Sequence, residues 1–247
     1  YSRIRGKEIA MVFQDALIAL DPVFTVGQQM IETIRRHTAL SKPEARERTA
    51  ELLRMVKIPY PEHRMNQYPH QMSGGMRQRV MIAMAIACNP KLLLADEPTT
   101  ALDVTVQAQI LKLMAEIQRR SGMSMIFVTH DIGVAANIAD EIVVMYAGRI
   151  VEHGTVDEVV HHPKHPYTQG LIEANVTPGK KGRLSVISGQ PPVPYRLPPG
   201  CSFAPRCAYA MEECKQWMPE LKPVPGTEHI VRCHLQERFA LNLSSMG

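Results

Sequence analysis

At 247 residues the chain is long enough to bury a sizeable core, and one large domain with an appendage fits that length. Apolar residues make up 45% and charged residues 21%, the balance of an ordinary globular protein, and the net charge of +4 comes from well-mixed acids and bases, which gives no reason to expect nucleic acid. The longest uninterrupted apolar run, Val80 to Cys88, falls far short of the roughly 20 residues that cross a bilayer, so a membrane role is expected to come through partners.

The first element is a short apolar strand, Glu8 to Phe13, which delivers Gln14 at its end. A polar loop follows through Asp21-Pro22. Thr25, with Gln28 three residues on, reads as a capping box starting a helix with Val26, Met30, Ile31 and Ile34 on one face. Ser41 with Glu44, and Pro43 in the first turn, starts a second helix. Its apolar positions Ala45, Thr49, Leu52, Leu53 and Val56 recur at helical spacing, and Pro59 and Pro61 are expected to end it.

Ser73-Gly74-Gly75 opens a third helix. Free backbone N–H groups and the positive end of the helix dipole suit an anion such as phosphate there, although such a turn met alone is most often a plain cap. Met76, Met81 and Met84 on this helix read as adaptable core filling. Leu92 to Ala95 then reads as a buried strand presenting Asp96 and Glu97 at its tip, before Pro98. Adjacent carboxylates can divide two tasks, one holding Mg²⁺ through its water shell and one orienting an attacking water; a solvated turn is the alternative. Ala101-Leu102-Asp103 precedes an amphipathic helix, Val104 to Arg120, which Asp103 is also suited to cap. Ile126 to Thr129 is another buried strand, ending at His130. With Glu141 to Tyr146, the order from Lys91 becomes strand, helix, strand, helix, strand, the pattern of a parallel sheet with crossovers. Ala147-Gly148 turns the chain into Arg149 to Glu152 as a hairpin, and Val156 to Val160 belongs to a short helix.

In order and spacing, Gln14, Ser73-Gly74-Gly75, Asp96-Glu97, Ala101-Leu102-Asp103 and His130 resemble the motifs of the ATP-binding subunits of ABC transporters. The run from His161 to Thr168, with His165-Pro166-Tyr167, resembles a segment of the ATPases that serve oligopeptide, dipeptide and nickel importers. A metal-binding histidine tract is disfavoured by its two prolines. The resemblance implies an α/β, P-loop NTPase-like sheet with a helical subdomain over about 24–90. It implies an ATPase domain over 1–160 and an extension over 161–247, with a proline-rich linker at 177–200 and a four-cysteine segment at 201–233.

It also implies ATP sandwiched between two ATPase subunits of a homo- or heterodimer. Asp96 then helps hold Mg²⁺, Glu97 polarises the attacking water, His130 contacts the γ-phosphate and Gln14 reaches the metal and water. Ser73, Gly74 and Gly75 cap the γ-phosphate bound by the opposite subunit, and Asp103 couples the two sites. Two transmembrane permease subunits receive the helical subdomain, and an extracytoplasmic substrate-binding protein is an indirect partner. The resemblance implies no nucleic acid, and it places the protein peripherally on the cytoplasmic face of the inner membrane.

One departure is plain: the 247 residues contain no Gly-x-x-x-x-Gly-Lys-Ser/Thr loop. The family carries that loop upstream of the glutamine, so it would precede Tyr1. An N-terminally truncated ATPase, inactive alone and with an apolar gap where the missing strand and helix pack, is therefore expected. The alternative is a catalytically silent partner lending its signature turn and docking surface to an intact ATPase. A DNA-repair ABC ATPase is disfavoured, because no long coiled coil or paired zinc knuckle lies between the motifs.

Cys201, Cys207, Cys214 and Cys233 are separated by five, six and eighteen residues. A cytosolic location disfavours disulfides, and the close cysteine pairs of zinc ribbons are missing. Four irregularly spaced thiolates suit a [4Fe–4S] cluster, which the resemblance to peptide-importer tails also implies; zinc and unliganded thiols are the alternatives. His234 reads as a bystander and Cys88 as core.

Overall fold

Residues 4–100, 102–174 and 187–236 are described by the computed structural model, and they separate into two compact units, Tyr1–His130 and Asp131–Gly247. Residues 177–186 of the predicted linker lie outside the described residues.

In the first unit, β1 (Ile9–Val12) is followed by the short α1 (Ala16–Ala19) and then by α2 (Val26–His37), α3 (Lys42–Met55) and α4 (Pro61–Arg64). Both predicted capping boxes are formed: Gln28 Oε1 accepts from Thr25 N at 2.8 Å, and Glu44 Oε2 accepts from Ser41 N at 2.7 Å. The Ser41 bonds hold the Glu44 carboxyl below the ordinary carboxylate range. The faces that the spacing picked out turn inward, with Val26, Met30, Ile34, Ala45, Leu52, Leu53 and Val56 buried. One boundary differs from expectation. The second helix closes at Val56, ahead of both prolines, because Lys57 enters the left-handed region (φ 61°); Pro61 instead opens α4.

Next come α5 (Gly74–Ala85), β2 (Leu92–Asp96), α6 (Val104–Ser121) and β3 (Ser124–Val128). The three strands form a parallel sheet in the order β1-β2-β3, with Met11, Leu94 and Ile126 in one row. Ala10, Val12, Leu93 and Ala95 point to the buried face, and α5 packs on β1. On the opposite face Met11, Phe13, Ile126 and Val128 are exposed, by 38 to 54% of their surface. This face of the sheet is apolar and exposed among the described residues.

The second unit contains α7 (Ile132–Ile138), β4 (Glu141–Tyr146), β5 (Arg149–Thr155), α8 (Val156–His161) and α9 (Pro166–Ala174). It closes with α10 (Glu212–Gln216), β6 (Lys222–Pro223) and β7 (Ile230–Val231). Here the parallel-series expectation is corrected. β4 does not join the sheet of β2 and β3; it pairs antiparallel with β5 in a four-stranded sheet of order β4-β5-β7-β6. Ala147 and Gly148 both have positive φ (48° and 76°), the geometry of a tight two-residue hairpin, and so short a link allows only antiparallel pairing.

Ile142, Val144, Tyr146, Val151, Val159 and Phe203 make this unit's core. Tyr167 packs against both Tyr146 and Phe203, with ring centres 4.7 and 5.4 Å away. The histidine-proline-tyrosine run is thus part of a hydrophobic core. His165 is buried, its Nδ1 accepts from Tyr167 N at 3.0 Å, and burial pushes its pKa down to about 4, so it stays neutral at physiological pH. Glu152, fully buried on β5, accepts from Lys164 N (2.6 Å) and His165 N (3.1 Å), and His229 Nε2 lies 2.8 Å from its Oε1. That buried carboxyl ties the β4–β5 hairpin, the histidine run and the approach to β7 together.

Candidate active site

Three parallel strands bring their C-terminal ends to one edge of the first unit, where α/β sheets bind ligands. Gln14 follows β1, Glu97 follows β2 and His130 follows β3. Residues far apart in sequence meet there on one carboxylate. Gln14 Nε2 donates to Glu97 Oε2 at 2.9 Å, and His130 Nδ1 lies 3.0 Å from Glu97 Oε1. A deprotonated carboxyl only accepts, so His130 carries a proton on Nδ1. Thr100 Oγ1 adds a third donor, 2.8 Å from Oε2. The bond from His130, then that from Thr100, holds Glu97 below the ordinary carboxylate range, against a smaller opposing effect of burial. Glu97 is therefore ionised at neutral pH and able to take a proton.

The backbone of Glu97 is strained. Its φ is 41°, in a region where a non-glycine residue costs about 1–3 kcal/mol, and its N–H is pinned to Val128 O at 3.0 Å. The turn thereby aims the carboxylate back over the strand ends. Asp96, the last residue of β2, makes no hydrogen bond through its carboxylate to any described residue, so its hard oxygens are open to a cation.

Ser73, Gly74, Gly75 and Asp103 form a second group, at the facing starts of α5 and α6. Ser73 Oγ caps α5 by accepting from Met76 N at 3.4 Å, and Asp103 Oδ1 caps α6 by accepting from Val106 N at 3.0 Å. Gly75 is dictated by close approach: a Cβ there would lie 2.9 Å from Val106 Cγ1. The leading N–H groups of α5 are left open by helix geometry. Among the described residues no hydrogen bond joins this turn to Glu97, Gln14 or His130. Thr100 is the one donor on Glu97, among these residues, that the sequence did not single out.

In the second unit the four cysteines lie within electrostatic reach of one another. Burial pushes Cys233 up to about 12, and charges on Cys201, Cys207 and Cys214 push in the same direction. Backbone N–H groups point at three of the sulfurs: Phe203 and Ala204 at Cys201, Tyr209 at Cys207, and Leu235 at Cys233. Cys201 N also donates to Cys214 O at 2.8 Å, across a contact so close that a Cβ on Gly200 would sit 2.3 Å from that oxygen. Among the described residues, however, no group of three or more His, Cys, Asp or Glu side chains is arranged to hold a metal ion. A formed ligand set for the expected cluster is therefore not seen. Cys88 is half-buried, with its thiol pKa raised by burial.

Comparison with known proteins agrees with this geometry. The ABC transporter family matches residues 1–100, and the oligopeptide/dipeptide transporter C-terminal region matches residues 151–214. The oligopeptide transport ATP-binding protein AppD of Bacillus subtilis is 49% identical over 96% of this chain and 72% of its own length. For OppD of the same organism the figures are 52%, 92% and 64%, and for the dipeptide transport ATP-binding protein DppD of Haemophilus influenzae 51%, 93% and 69%. The chain thus spans roughly two thirds of the length of such relatives. A dimeric ATP-binding cassette solved in a post-hydrolysis state with ADP and phosphate superposes with a TM-score of 0.55 at 34% identity, covering 63% of this chain and 66% of its own. CbiO1 of Clostridium perfringens, part of a cbiONQ transporter complex, gives 0.56 at 33% identity, covering 63% and 60%. No helix among the described residues is long and apolar enough to cross a membrane. The chain belongs to the ABC transporter ATPase family, among the ATP-binding proteins of oligopeptide and dipeptide transport.

Proposed function

We propose that this protein is the energy-coupling ATPase subunit of an importer for di- or oligopeptides, with nickel as the other cargo of that class. The observation that carries this reading is the meeting of Gln14 and His130 on Glu97 at the ends of three parallel strands. In this reading Glu97 takes a proton from the water that attacks the γ-phosphate. His130 gives up its bond to Glu97 and donates to the γ-phosphate, and Gln14 turns to the water. Asp96 and Gln14 would hold Mg²⁺, which would supply charge neutralisation at the phosphates. Ser73, Gly74 and Gly75 offer the open N–H groups of α5 to the triphosphate of a second ATPase subunit, with Asp103 beside them at the seam. Two permeases receive the helical block α2–α4, and an extracytoplasmic binding protein presents the peptide. The protein works peripherally, on the cytoplasmic face of the inner membrane.

The test is assembly and coupling. The chain should co-purify with two permease subunits, and the complex in proteoliposomes should hydrolyse Mg-ATP faster when binding protein and peptide are added. Turnover indifferent to peptide would refute the importer reading. A second reading is a silent partner lending only α5 and its docking surface to an intact ATPase. It requires weak ATP binding by this chain alone, and micromolar affinity would exclude it.

For the extension we propose a [4Fe–4S] centre on Cys201, Cys207, Cys214 and Cys233. Support comes from the mutual reach of the four thiols and from N–H donors on three sulfurs, which stabilise thiolates more than thiols. Anaerobically purified protein is expected to be brown and to contain iron and acid-labile sulfide, both lost in a Cys214→Ser variant. Zinc without sulfide, or no metal at all, would overturn the assignment.

A further inference from the structure

The three donors on Glu97 differ in how they are attached to it. Gln14 lies 83 residues away and His130 lies 33 away, each at the end of its own strand. Thr100 is three residues on, in the same turn, and its N–H closes that turn on Glu97 O at 3.3 Å. Any movement that parts the strand ends, or that redirects Gln14 and His130 to a nucleotide, breaks two of the bonds. The third moves with Glu97.

The backbone of Glu97 is already fixed by its left-handed φ and its bond to Val128 O, so the freedom that remains is in the side chain. A carboxylate acting as general base must hold one oxygen within about 2.6–3.2 Å of the proton it removes. With Oε2 tethered by Thr100 and Oε1 released by His130, one oxygen is left pointing out over the strand ends. We propose that Thr100 is a positioning residue: its hydroxyl anchors Oε2 of Glu97 and so aims Oε1 at the attacking water. The assignment rests on the reading of Glu97 as the base.

Without the hydroxyl the carboxylate loses the donor that moves with it, so its aim loosens, and misplacement on the scale of an ångström costs about 100-fold in rate.

The test compares wild type with Thr100→Val, which keeps the shape and loses the donor, and Thr100→Ser, which restores the donor. In the permease-bound ATPase, Thr100→Val should lower kcat about 10- to 100-fold with little change in KM for ATP, and Thr100→Ser should recover it. Unchanged kcat in Thr100→Val where Glu97→Gln abolishes turnover overturns the proposal, as does a Thr100→Ser variant that stays as slow as the valine one. If Glu97→Gln leaves turnover intact, the base reading fails and this proposal with it.

Discussion

Replacing Glu97 by glutamine is expected to lower ATP turnover by the assembled transporter by about 10²- to 10⁴-fold, the usual contribution of a general base. Glutamine keeps the side chain's length and shape and one acceptor oxygen. What it loses is the capacity to take a proton, and it presents an N–H₂ where Gln14 and Thr100 now donate or where His130 does. Folding should be unaffected, because the site is at a solvent-facing sheet edge and Asp96 is untouched. Nucleotide binding should also survive, since the phosphate contacts in this reading come from other groups. The variant is therefore expected to hold ATP in a closed dimer that does not reopen. Size-exclusion chromatography with Mg-ATP would show a stable dimer for Glu97→Gln and a transient one for wild type. Undiminished phosphate release by the variant would remove Glu97 from the chemistry.

The site was legible in the sequence to the extent that its residues sit at strand ends. Gln14, Glu97 and His130 each close an apolar run, and parallel strands in one sheet bring such ends together. The capping boxes at Thr25 and Ser41 were equally legible, because every interaction in them lies within four residues. Thr100 was not, because its bond exists only with Glu97 at positive φ, a conformation that glutamate does not announce. The hairpin joining β4 to β5 was legible at Ala147-Gly148, but the sheet that β4 enters was not, because alternation of strand and helix is a local pattern whereas strand pairing is not. The cysteine spacing gave the number of thiols and their segment; the N–H groups aimed at them belong to turns that spacing does not encode.

Glu152→Leu is expected to be the most destabilising single change in the second unit. On sequence alone Glu152 is one more acid in an amphipathic hairpin, with partners 12, 13 and 77 residues away. In the fold its side chain has no exposed surface, and it accepts from two backbone N–H groups with His229 beside it. Leucine fills most of the volume but leaves the N–H groups of Lys164 and His165 and the buried His229 ring without their acceptor. Each buried donor left without its acceptor costs about 1–3 kcal/mol. Domains are stable by only about 5–15 kcal/mol, so the variant should lose most of its margin. Trp217, the sole tryptophan, lies in this unit and reports its unfolding directly. Urea melts followed by its fluorescence should show a large drop in midpoint for Glu152→Leu. Glu152→Gln, which keeps one acceptor but turns an amide donor toward another donor, should lose less. Because Cys233 lies just past β7, whose approach His229 fastens to Glu152, the leucine variant should also lose protection of Cys233 from thiol-specific alkylation. A melt within about 1 kcal/mol of wild type for Glu152→Leu would mean that water or a shifted backbone satisfies the three donors, and that Glu152 does not hold the extension to the hairpin.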